Sequence, residues 1–322
     1  MDTSSTFSLL ESTNWRDYEL LDSGDGQKLE RFGPYTFIRP EVQAMWKQAL
    51  PGKEWANAHA VFQPTNEESG GHWSFKKKVE ERWEMTYSLA SVPVKKQTPR
   101  ASGNDPQIRF WAMTTPGRHL GVFPETASHW DFINETLQNM KVHADQGQND
   151  PIKVLNLFGY TGLTTLVAAR AGASVTHVDA SRKSISWARE NQALSKLEDK
   201  PIRWIVDDAL KFVEREGRRG SRYDGIILDP PKFGRGPKGE VWDVYKSLPD
   251  LLKACSSILS DHPLFVIITA YAIKTSAIHI AQALEDVVHN FKGSTECGEL
   301  VVRERSAARL LSQAVFARWR SE

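Results

Sequence analysis

The sequence predicts an α/β protein in which a smaller β-rich domain precedes a doubly wound parallel sheet. From residue 58 to residue 115, aromatic and β-branched residues recur between clusters of Gly, Pro and Ser, as in short strands joined by turns. From residue 118 on, short apolar runs alternate with amphipathic helical segments, as in βαβ units. Because 322 residues exceed the length of one ordinary domain, we expect two, with bounds 1–117 and 118–322.

The second predicted domain is organised around residues 153–179. A buried strand over 154–158 runs into Gly159-Tyr160-Thr161-Gly162, a tight turn whose glycines allow the backbone to approach a ligand closely. An Ala-rich helix over 163–171 follows, and a strand over 174–178 then ends at Asp179. Asp179 comes 20 residues after the first glycine, where an acid accepts hydrogen bonds from ribose hydroxyls in nucleotide-binding sheets.

The glycine pattern indicates the kind of ligand. A dinucleotide fingerprint reads G-x-G-x-x-G, so that the backbone wraps a pyrophosphate. Here Tyr160 and Thr161 separate Gly159 from Gly162, and Leu-Thr-Thr follows. A ligand without a pyrophosphate, such as S-adenosylmethionine, therefore fits this turn better. The alternative is an ordinary βαβ turn with Asp179 at the surface.

Acids also follow the third and fourth predicted strands. The third, over 202–206, ends at Asp207-Asp208, where an acid can accept from an adenine amino group or cap the next helix. The fourth, over 223–228, runs into the segment Asp229-Pro230-Pro231-Lys232-Phe233. Two prolines end a strand and leave acceptors free at its carboxyl end, where ligands bind in such sheets. A carboxylate and prolyl carbonyls can accept from a planar amine while Phe233 stacks on its ring; the alternative is a purely structural turn.

The remaining elements follow from local patterns. In the first domain, residues 18–21 and 28–32 flank a Ser-Gly-Asp-Gly turn and predict a hairpin. Pro40 predicts a short helix with Val42, Met45, Trp46 and Ala49 on one face, and residues 97–106 predict a loop. In the second domain we expect helices from Glu125, over 181–193, over 245–260 and to about residue 289, a strand over 264–269, and an antiparallel pair over 299–303 and 311–319.

One part of the first domain combines basic and aromatic side chains. Residues 71–111 hold eight basic and four acidic residues, the basic ones being Lys76, Lys77, Lys78, Arg82, Lys95, Lys96, Arg100 and Arg109. The interleaved rings are Trp73, Phe75, Trp83, Tyr87 and Trp111. Such a surface could neutralise phosphates and stack on the bases of single-stranded RNA. The alternative is an aromatic core beneath a solvated charged face.

The amino-acid composition indicates the cellular compartment and argues against a metal site. The 41 basic and 40 acidic residues nearly balance, which argues against a strongly basic nucleic-acid-binding surface over the whole protein but not against a local basic patch. Two cysteines and nine histidines show no metal-ligand spacing, which predicts a reducing compartment and no metal site. No segment has 18 consecutive apolar residues, and the first 15 residues do not resemble a signal peptide. We therefore expect a cytoplasmic protein without a membrane segment.

The second domain resembles the class I S-adenosylmethionine-dependent methyltransferases, and more narrowly the family that includes large-subunit ribosomal RNA cytosine and guanine methyltransferases. The resemblance covers roughly residues 118–322. It rests on five motifs in order: HLGVFPE at 119–125, NLFGYTG at 156–162, VDAS at 178–181, VDDA at 206–209 and DPPKF at 229–233. It implies a Rossmann-like, seven-stranded sheet of order 3-2-1-4-5-7-6 with an antiparallel last strand.

The resemblance also implies site residues and a substrate class. Cofactor contacts are expected from Phe123, Asn156, Phe158, Gly159, Tyr160, Thr161, Gly162, Asp179, Ala180, Ser181, Asp207, Asp208, Ala209 and Asp229. The catalytic segment would be Asp229, Pro230, Pro231, Lys232 and Phe233, in which Lys232 either fixes the loop or meets a phosphate. RNA as the partner is implied by the resemblance. Two rival functions remain: a small-molecule or protein methyltransferase with the same core, and a non-catalytic interaction protein. The sequence leaves the oligomeric state open.

This chain departs from the family's cytosine-C5 members at the end of the fifth strand. Those members carry a nucleophilic cysteine there, whereas this chain reads Thr269-Ala270-Tyr271-Ala272. A C5 mechanism requires covalent attack on the base by a thiolate. Cys255 is predicted to lie on the apolar face of a helix, and Cys297 precedes a late strand. We therefore expect direct methyl transfer to a nitrogen or oxygen, without a covalent intermediate.

Overall fold

The computed structural model describes residues 6–65, 70–89, 107–144 and 151–322. The loop expected at 97–106 lies outside these ranges, as do Lys95, Lys96 and Arg100 of the basic and aromatic segment. The chain divides into two compact units. The large-sheet unit comprises Met1–Leu10, Ser128–Leu300 and Gln313–Glu322. The β-rich unit comprises Glu11–Ala127 and Val301–Ser312.

The large-sheet unit is built on an eight-stranded sheet. Its strands are β1 (Thr6–Glu11), β9 (Lys153–Leu157), β10 (Ser174–Asp179), β11 (Ile202–Val206), β12 (Gly225–Leu228), β15 (Phe265–Ala270), β16 (Gly293–Arg303) and β17 (Leu310–Ser321). A separate hairpin is formed by β13 (Phe233–Arg235) and β14 (Val241–Asp243). The helices are α2 (Ala127–Ala144), α3 (Leu163–Arg170), α4 (Arg182–Leu194), α5 (Ala209–Arg218), α6 (Val244–Ser256) and α7 (Ala277–Val288).

The strand order confirms the doubly wound fold. It runs β1-β16-β17-β15-β12-β9-β10-β11, in which β11 to β16 reproduce the expected order 3-2-1-4-5-7-6. The pairs among β11, β10, β9, β12 and β15 are parallel, and β17 lies antiparallel to β15. Every residue of β12 and β15 is buried, as the continuous apolar runs in two-sided parallel strands require. The eighth strand, β1, was not predicted, and it comes from residues that we had assigned to the first domain.

The β-rich unit contains two small sheets. Five strands pair in the order β2 (Tyr18–Gly24), β3 (Gln27–Phe32), β4 (Tyr35–Pro40), β5 (Ala60–Pro64) and β6 (Gly71–Phe75). The second sheet pairs β7 (Trp83–Ser88) with β8 (Gln107–Ala112). The predicted hairpin is confirmed, since β2 and β3 pair antiparallel around Asp25 and Gly26. Trp83 and Tyr87 are buried in the core of this unit, so neither ring can stack on a base.

The helix expected after Pro40 is wrong. Residues 41–50 form turns, and Val42 and Met45 are 83% and 88% exposed. The backbone of this segment instead forms hydrogen bonds with the neighbouring hairpin. Asp25 N–H donates to the Trp46 carbonyl at 2.7 Å, and the Asp22 carboxylate accepts from Leu50 N–H at 2.8 Å. These hydrogen bonds replace those that a helix would have made, and the short helix α1 (Gly52–Ala56) begins only after Pro51.

Candidate active site

Four parallel strands end side by side at one edge of the large sheet. Leu157 of β9 is paired with both Val178 of β10 and Leu228 of β12. The ladder continues just past the strand ends, where Gly159 N–H donates to the Val178 carbonyl at 3.1 Å. The four segments that follow these strands are residues 158–162, 179–181, 207–209 and 229–233. They therefore share the carboxyl edge at which open α/β sheets bind ligands.

The loop after β9 has an unusual backbone. Phe158, Tyr160 and Gly162 have φ angles of 59°, 49° and 81°, in the left-handed region that non-glycine residues seldom adopt. Such residues cluster at ligand-binding sites, where surrounding contacts hold them in place. A Cβ atom on Gly159 would lie 2.3 Å from the His177 ring. Glycine at this position is thus required by packing against β10, in addition to any approach to a ligand.

A buried polar chain supports this loop from beneath. The side-chain amide of Asn156 donates to the Thr165 hydroxyl at 2.9 Å, and that hydroxyl lies 2.9 Å from Nδ1 of His177. Burial lowers the pKa of His177 to about 3, so its ring stays neutral. On the other side, the Asn191 amide donates to the Thr161 carbonyl at 2.9 Å. Asn156 and Thr161, both expected at the cofactor, are buried and fix the shape of the loop.

Asp179 ties the first two segments together. Its carboxylate accepts from Tyr160 N–H at 2.9 Å and from Ser181 N–H at 2.8 Å. Burial raises the pKa of Asp179, and these two hydrogen bonds oppose that rise. Ser181 also caps α4 by accepting from Ser184 N–H, as expected, and the half-buried Ala180 lies between the two acceptors. Each oxygen of an ionised carboxylate can accept further hydrogen bonds, so Asp179 retains capacity for a ligand's hydroxyl groups.

In the third segment, residues 207–209, the two acids Asp207 and Asp208 have different partners. Asp208 caps α5 by accepting from Lys211 N–H at 3.0 Å, which is the capping role that the sequence left open. Asp207 forms an ion pair with Arg215, and its other oxygen accepts from Asp208 N–H at 2.9 Å. Ala209 begins α5 and is buried. The acid beside the sheet edge is therefore held in a fixed orientation by Arg215.

The fourth segment is braced by a residue that the sequence analysis missed. Trp242 of β14 is buried; its indole N–H donates to the Pro231 carbonyl at 2.6 Å, and its ring lies 4.8 Å from that of Phe158. Asp229 is half-buried and Pro230 buried. By contrast, Phe233 is 54% exposed, and the ammonium of Lys232 lies 5.1 Å from the centre of its ring. This segment thus combines an acid at the sheet edge with an exposed aromatic face.

Phe123 is the one expected site residue that belongs to the β-rich unit. It precedes a 3-10 turn over Pro124–Thr126 and accepts a hydrogen bond from Thr126 N–H at 3.1 Å. Its ring lies 4.9 Å from that of His119. The other expected site residues all lie in the large-sheet unit.

Both cysteines are buried within secondary structure. Cys255 lies in the last turn of α6, about 16 Å along the helix axis from its first residue, and Cys297 lies within β16. Burial raises the pKa of both thiols. Within the described ranges, no group of three or more His, Cys, Asp or Glu side chains could hold a metal ion. No helix in the part of the chain described is long and apolar enough to cross a membrane.

Residues 117–296 match the protein family described as "Conserved hypothetical protein 95". A solved structure of an S-adenosylmethionine-dependent methyltransferase from Agrobacterium tumefaciens is 41% identical, with a TM-score of 0.84 over 100% of this chain and 98% of that one. A Streptococcus mutans structure is 17% identical, covers 95% of this chain and 76% of that one, and has a TM-score of 0.65, a likeness of fold alone.

Relatives named "Ribosomal RNA large subunit methyltransferase K/L" match a shorter segment. The protein from Pseudoalteromonas atlantica is 42% identical over 102 residues, which cover 31% of this chain and 14% of that protein. The protein from a Shewanella species is 38% identical over 111 residues, which cover 34% and 16%. The match to this chain thus spans about a sixth of the length of these relatives.

Proposed function

This chain belongs to the family described as "Conserved hypothetical protein 95", and we propose that it methylates a base of large-subunit ribosomal RNA. It is an S-adenosylmethionine-dependent methyltransferase, like the Agrobacterium protein that it matches over its whole length. The observation that carries the proposal is the alignment of four strand ends at one sheet edge, with Asp179 and Asp229 on two of them. The RNA substrate is supported by the names of the shorter matches, and it makes the cytoplasm the expected location.

The residues at this edge fit the cofactor. Asp179 would accept hydrogen bonds from the two ribose hydroxyls, because its carboxylate is already positioned by Tyr160 and Ser181. The backbone of residues 158–162 would line the amino-acid arm, and Asp207, fixed by Arg215, would accept from the adenine amino group. When bound, S-adenosylmethionine supplies a methyl group on a sulfonium, which needs no metal to react.

The fourth segment would hold the base that receives the methyl group. The Asp229 carboxylate and the Pro230 carbonyl can accept from an exocyclic amine, and the exposed face of Phe233 can stack on the ring that carries it. Lys232, whose ammonium lies over the Phe233 ring, would keep that ring in place. Catalysis then consists of holding the acceptor atom and the methyl group about 3–3.5 Å apart in line. Since both thiols are buried with raised pKa values, transfer is direct.

The test is methyl transfer to RNA from cells that lack this protein. Purified protein is incubated with tritiated S-adenosylmethionine and ribosomal RNA from such cells, and the label is mapped by nuclease digestion and chromatography. We expect one labelled nucleotide in large-subunit RNA, and a rate of labelling lower by about 10²-fold or more with the Asp229→Ala variant. Label on a protein or a small molecule, with none on RNA, would contradict the proposal and favour the rival substrate classes.

A further inference from the structure

A β-hairpin directly follows the Asp229-Pro230-Pro231 segment. In its ladder Gly234 is opposite Trp242, and Arg235 is opposite Val241. Because side chains alternate across a strand, Gly234 and Trp242 share an inner face. The outer face carries the other four strand residues, Phe233, Arg235, Val241 and Asp243. On the inner face, the side chain of Trp242 is buried. The outer face is open, with Val241 73% exposed and Arg235 also exposed.

The hairpin is held rigidly at both ends. At its base, Trp242 donates to the Pro231 carbonyl, and Val244 N–H donates to the Lys232 carbonyl at 3.0 Å. Near its tip, Glu240 forms an ion pair of 2.8 Å with Lys211 of α5 and accepts from Lys238 N–H at 2.9 Å. The Lys211 ammonium, with these backbone contacts, lowers the pKa of Glu240 to about 2. A surface ordered in this way loses little conformational entropy on binding.

The charges of the hairpin favour an anionic partner. Residues 232–246 contain four basic and two acidic side chains. Both acids are engaged, Glu240 with Lys211 and Asp243 as the cap that accepts from Tyr245 N–H at 3.1 Å. Arg235 and Lys238 are exposed, and within the described part of the chain their side chains make no ion pair or hydrogen bond. The hairpin therefore presents two available cations, Arg235 on its outer face and Lys238 in its turn. Beside them, Phe233 and Val241 form an exposed apolar strip next to the proposed target base.

We propose that this hairpin, through its outer face and its turn, binds the single-stranded nucleotides that flank the target base. Arg235 and Lys238 neutralise phosphates, and Val241 contacts a sugar or base edge. This inference rests on the proposed RNA substrate and deepens it. The polarity fits single-stranded RNA, which proteins hold with basic grooves next to flat or apolar contacts. The position fits as well, because a base presented to Asp229 and Phe233 brings its neighbouring nucleotides next to the hairpin that begins at Phe233.

The test compares two charge-matched double variants. Arg235→Ala with Lys238→Ala removes the proposed phosphate contacts. Arg218→Ala with Lys253→Ala removes two exposed basic side chains from the last turns of α5 and α6, away from the carboxyl edge. Binding to transcribed large-subunit ribosomal RNA is measured by filter retention over a series of salt concentrations. S-adenosylhomocysteine affinity is measured by calorimetry, and KM and kcat are measured for the same RNA.

We expect the hairpin variant to lose about 10-fold or more in RNA affinity at low salt. The slope of log affinity against log salt should become shallower by about 1.4, since each phosphate contact to a single strand contributes about 0.7. KM for RNA should rise while kcat and S-adenosylhomocysteine affinity stay unchanged, because the contacts act equally in the ground and transition states. Arg235→Lys should keep most of the affinity, and the Arg218/Lys253 variant should behave as wild type.

The outcomes separate this inference from the function on which it rests. A wild-type protein that methylates RNA, with a hairpin variant of unchanged affinity and salt slope, would overturn the hairpin proposal and leave the function standing. A wild-type protein that neither binds nor methylates RNA would overturn both. Loss of S-adenosylhomocysteine binding in the hairpin variant would also overturn it, because the hairpin would then act through the cofactor loop.

Discussion

The indole nitrogen of Trp242 donates a hydrogen bond to the carbonyl oxygen of Pro231 at 2.6 Å. The same ring packs on Phe158, so one buried residue braces both the loop proposed for the cofactor and the segment proposed for the base. In-line transfer depends on the separation of these two groups, and an error of about 1 Å can cost about 10²-fold in rate. The packing of Trp242 should therefore affect the rate of methyl transfer.

Trp242→Phe should lower kcat for methyl transfer while reducing the free energy of unfolding only slightly. The variant keeps a ring against Phe158 but loses the hydrogen bond, which contributes about 1 kcal/mol to the free energy of unfolding. We expect kcat to fall about 10-fold. Tyr223→Phe is the matched control, because it deletes a buried hydrogen bond of 2.9 Å to Glu216. Tyr223 lies two residues before β12, near the opposite edge of the sheet. Equal kcat values for the two variants would contradict the proposal that Trp242 positions the two segments for catalysis.

Asp179→Ala should weaken cofactor binding. If the carboxylate accepts from both ribose hydroxyls, its loss should cost about 2–4 kcal/mol in the binding of S-adenosylhomocysteine, measured by calorimetry. The variant also loses the hydrogen bonds to Tyr160 and Ser181, so circular dichroism should first establish that it is folded. Asp250→Ala, an exposed acid on α6, serves as control and should bind normally. Unchanged affinity in folded Asp179→Ala would remove Asp179 from the cofactor site.

The site was predictable where its signals are local, and less so where they depend on tertiary contacts. Gly159, Asp179 and Asp229 each follow an apolar run at the end of a strand, and Ser181 and Asp208 cap the helices that begin beside them. Trp242 acts through contacts with Phe158 and Pro231 that no local pattern reveals. The hairpin after Phe233 does carry a local signal, since residues 236–239, Gly-Pro-Lys-Gly, lie between its two short strands.

Two parts of the fold were missed for a similar reason. The sequence of β1 alternates polar and apolar residues, yet its neighbour β16 lies almost 300 residues later in the chain. No nearby turn fixes such a pairing, so the sequence did not predict the N-terminal strand. The segment after Pro40 has helical spacing of apolar residues, but hydrogen bonds to Asp22 and to the turn at Asp25 hold it in another conformation. In both cases distant partners decided the local structure.

His177 should make the protein less stable as the pH falls. Its pKa is about 3 in the folded protein because it is buried, and about 6.5 when the chain is unfolded. Between these values the unfolded state binds one more proton, so stability is fully present above pH 6.5 and decreases as the pH falls toward 3. The contribution is about 1.4 kcal/mol per pH unit.

Denaturant titrations of wild type and His177→Asn measure this effect. Asparagine does not titrate, so the free energy of unfolding of the variant should fall less steeply between pH 6 and pH 4 by about 1.4 kcal/mol per unit. The variant will be less stable at neutral pH, because it leaves space beside Gly159, but the comparison uses slopes rather than absolute values. Parallel pH dependences would show that His177 is not held neutral in the folded state.

The last prediction concerns the chemistry of transfer. Cys255 and Cys297 are buried, and a thiol with a raised pKa holds little thiolate with which to attack a base. The double variant Cys255→Ala, Cys297→Ala should therefore keep most of the wild-type kcat, after correction for the folded fraction. Asp229→Ala should lose about 10²-fold or more, because it removes the group that positions the acceptor. RNA containing 5-fluorocytidine should form no adduct that survives a denaturing gel. An adduct that either cysteine variant abolishes would mean that the chain attacks cytosine covalently, and the proposal of direct transfer to a nitrogen or oxygen would then be wrong.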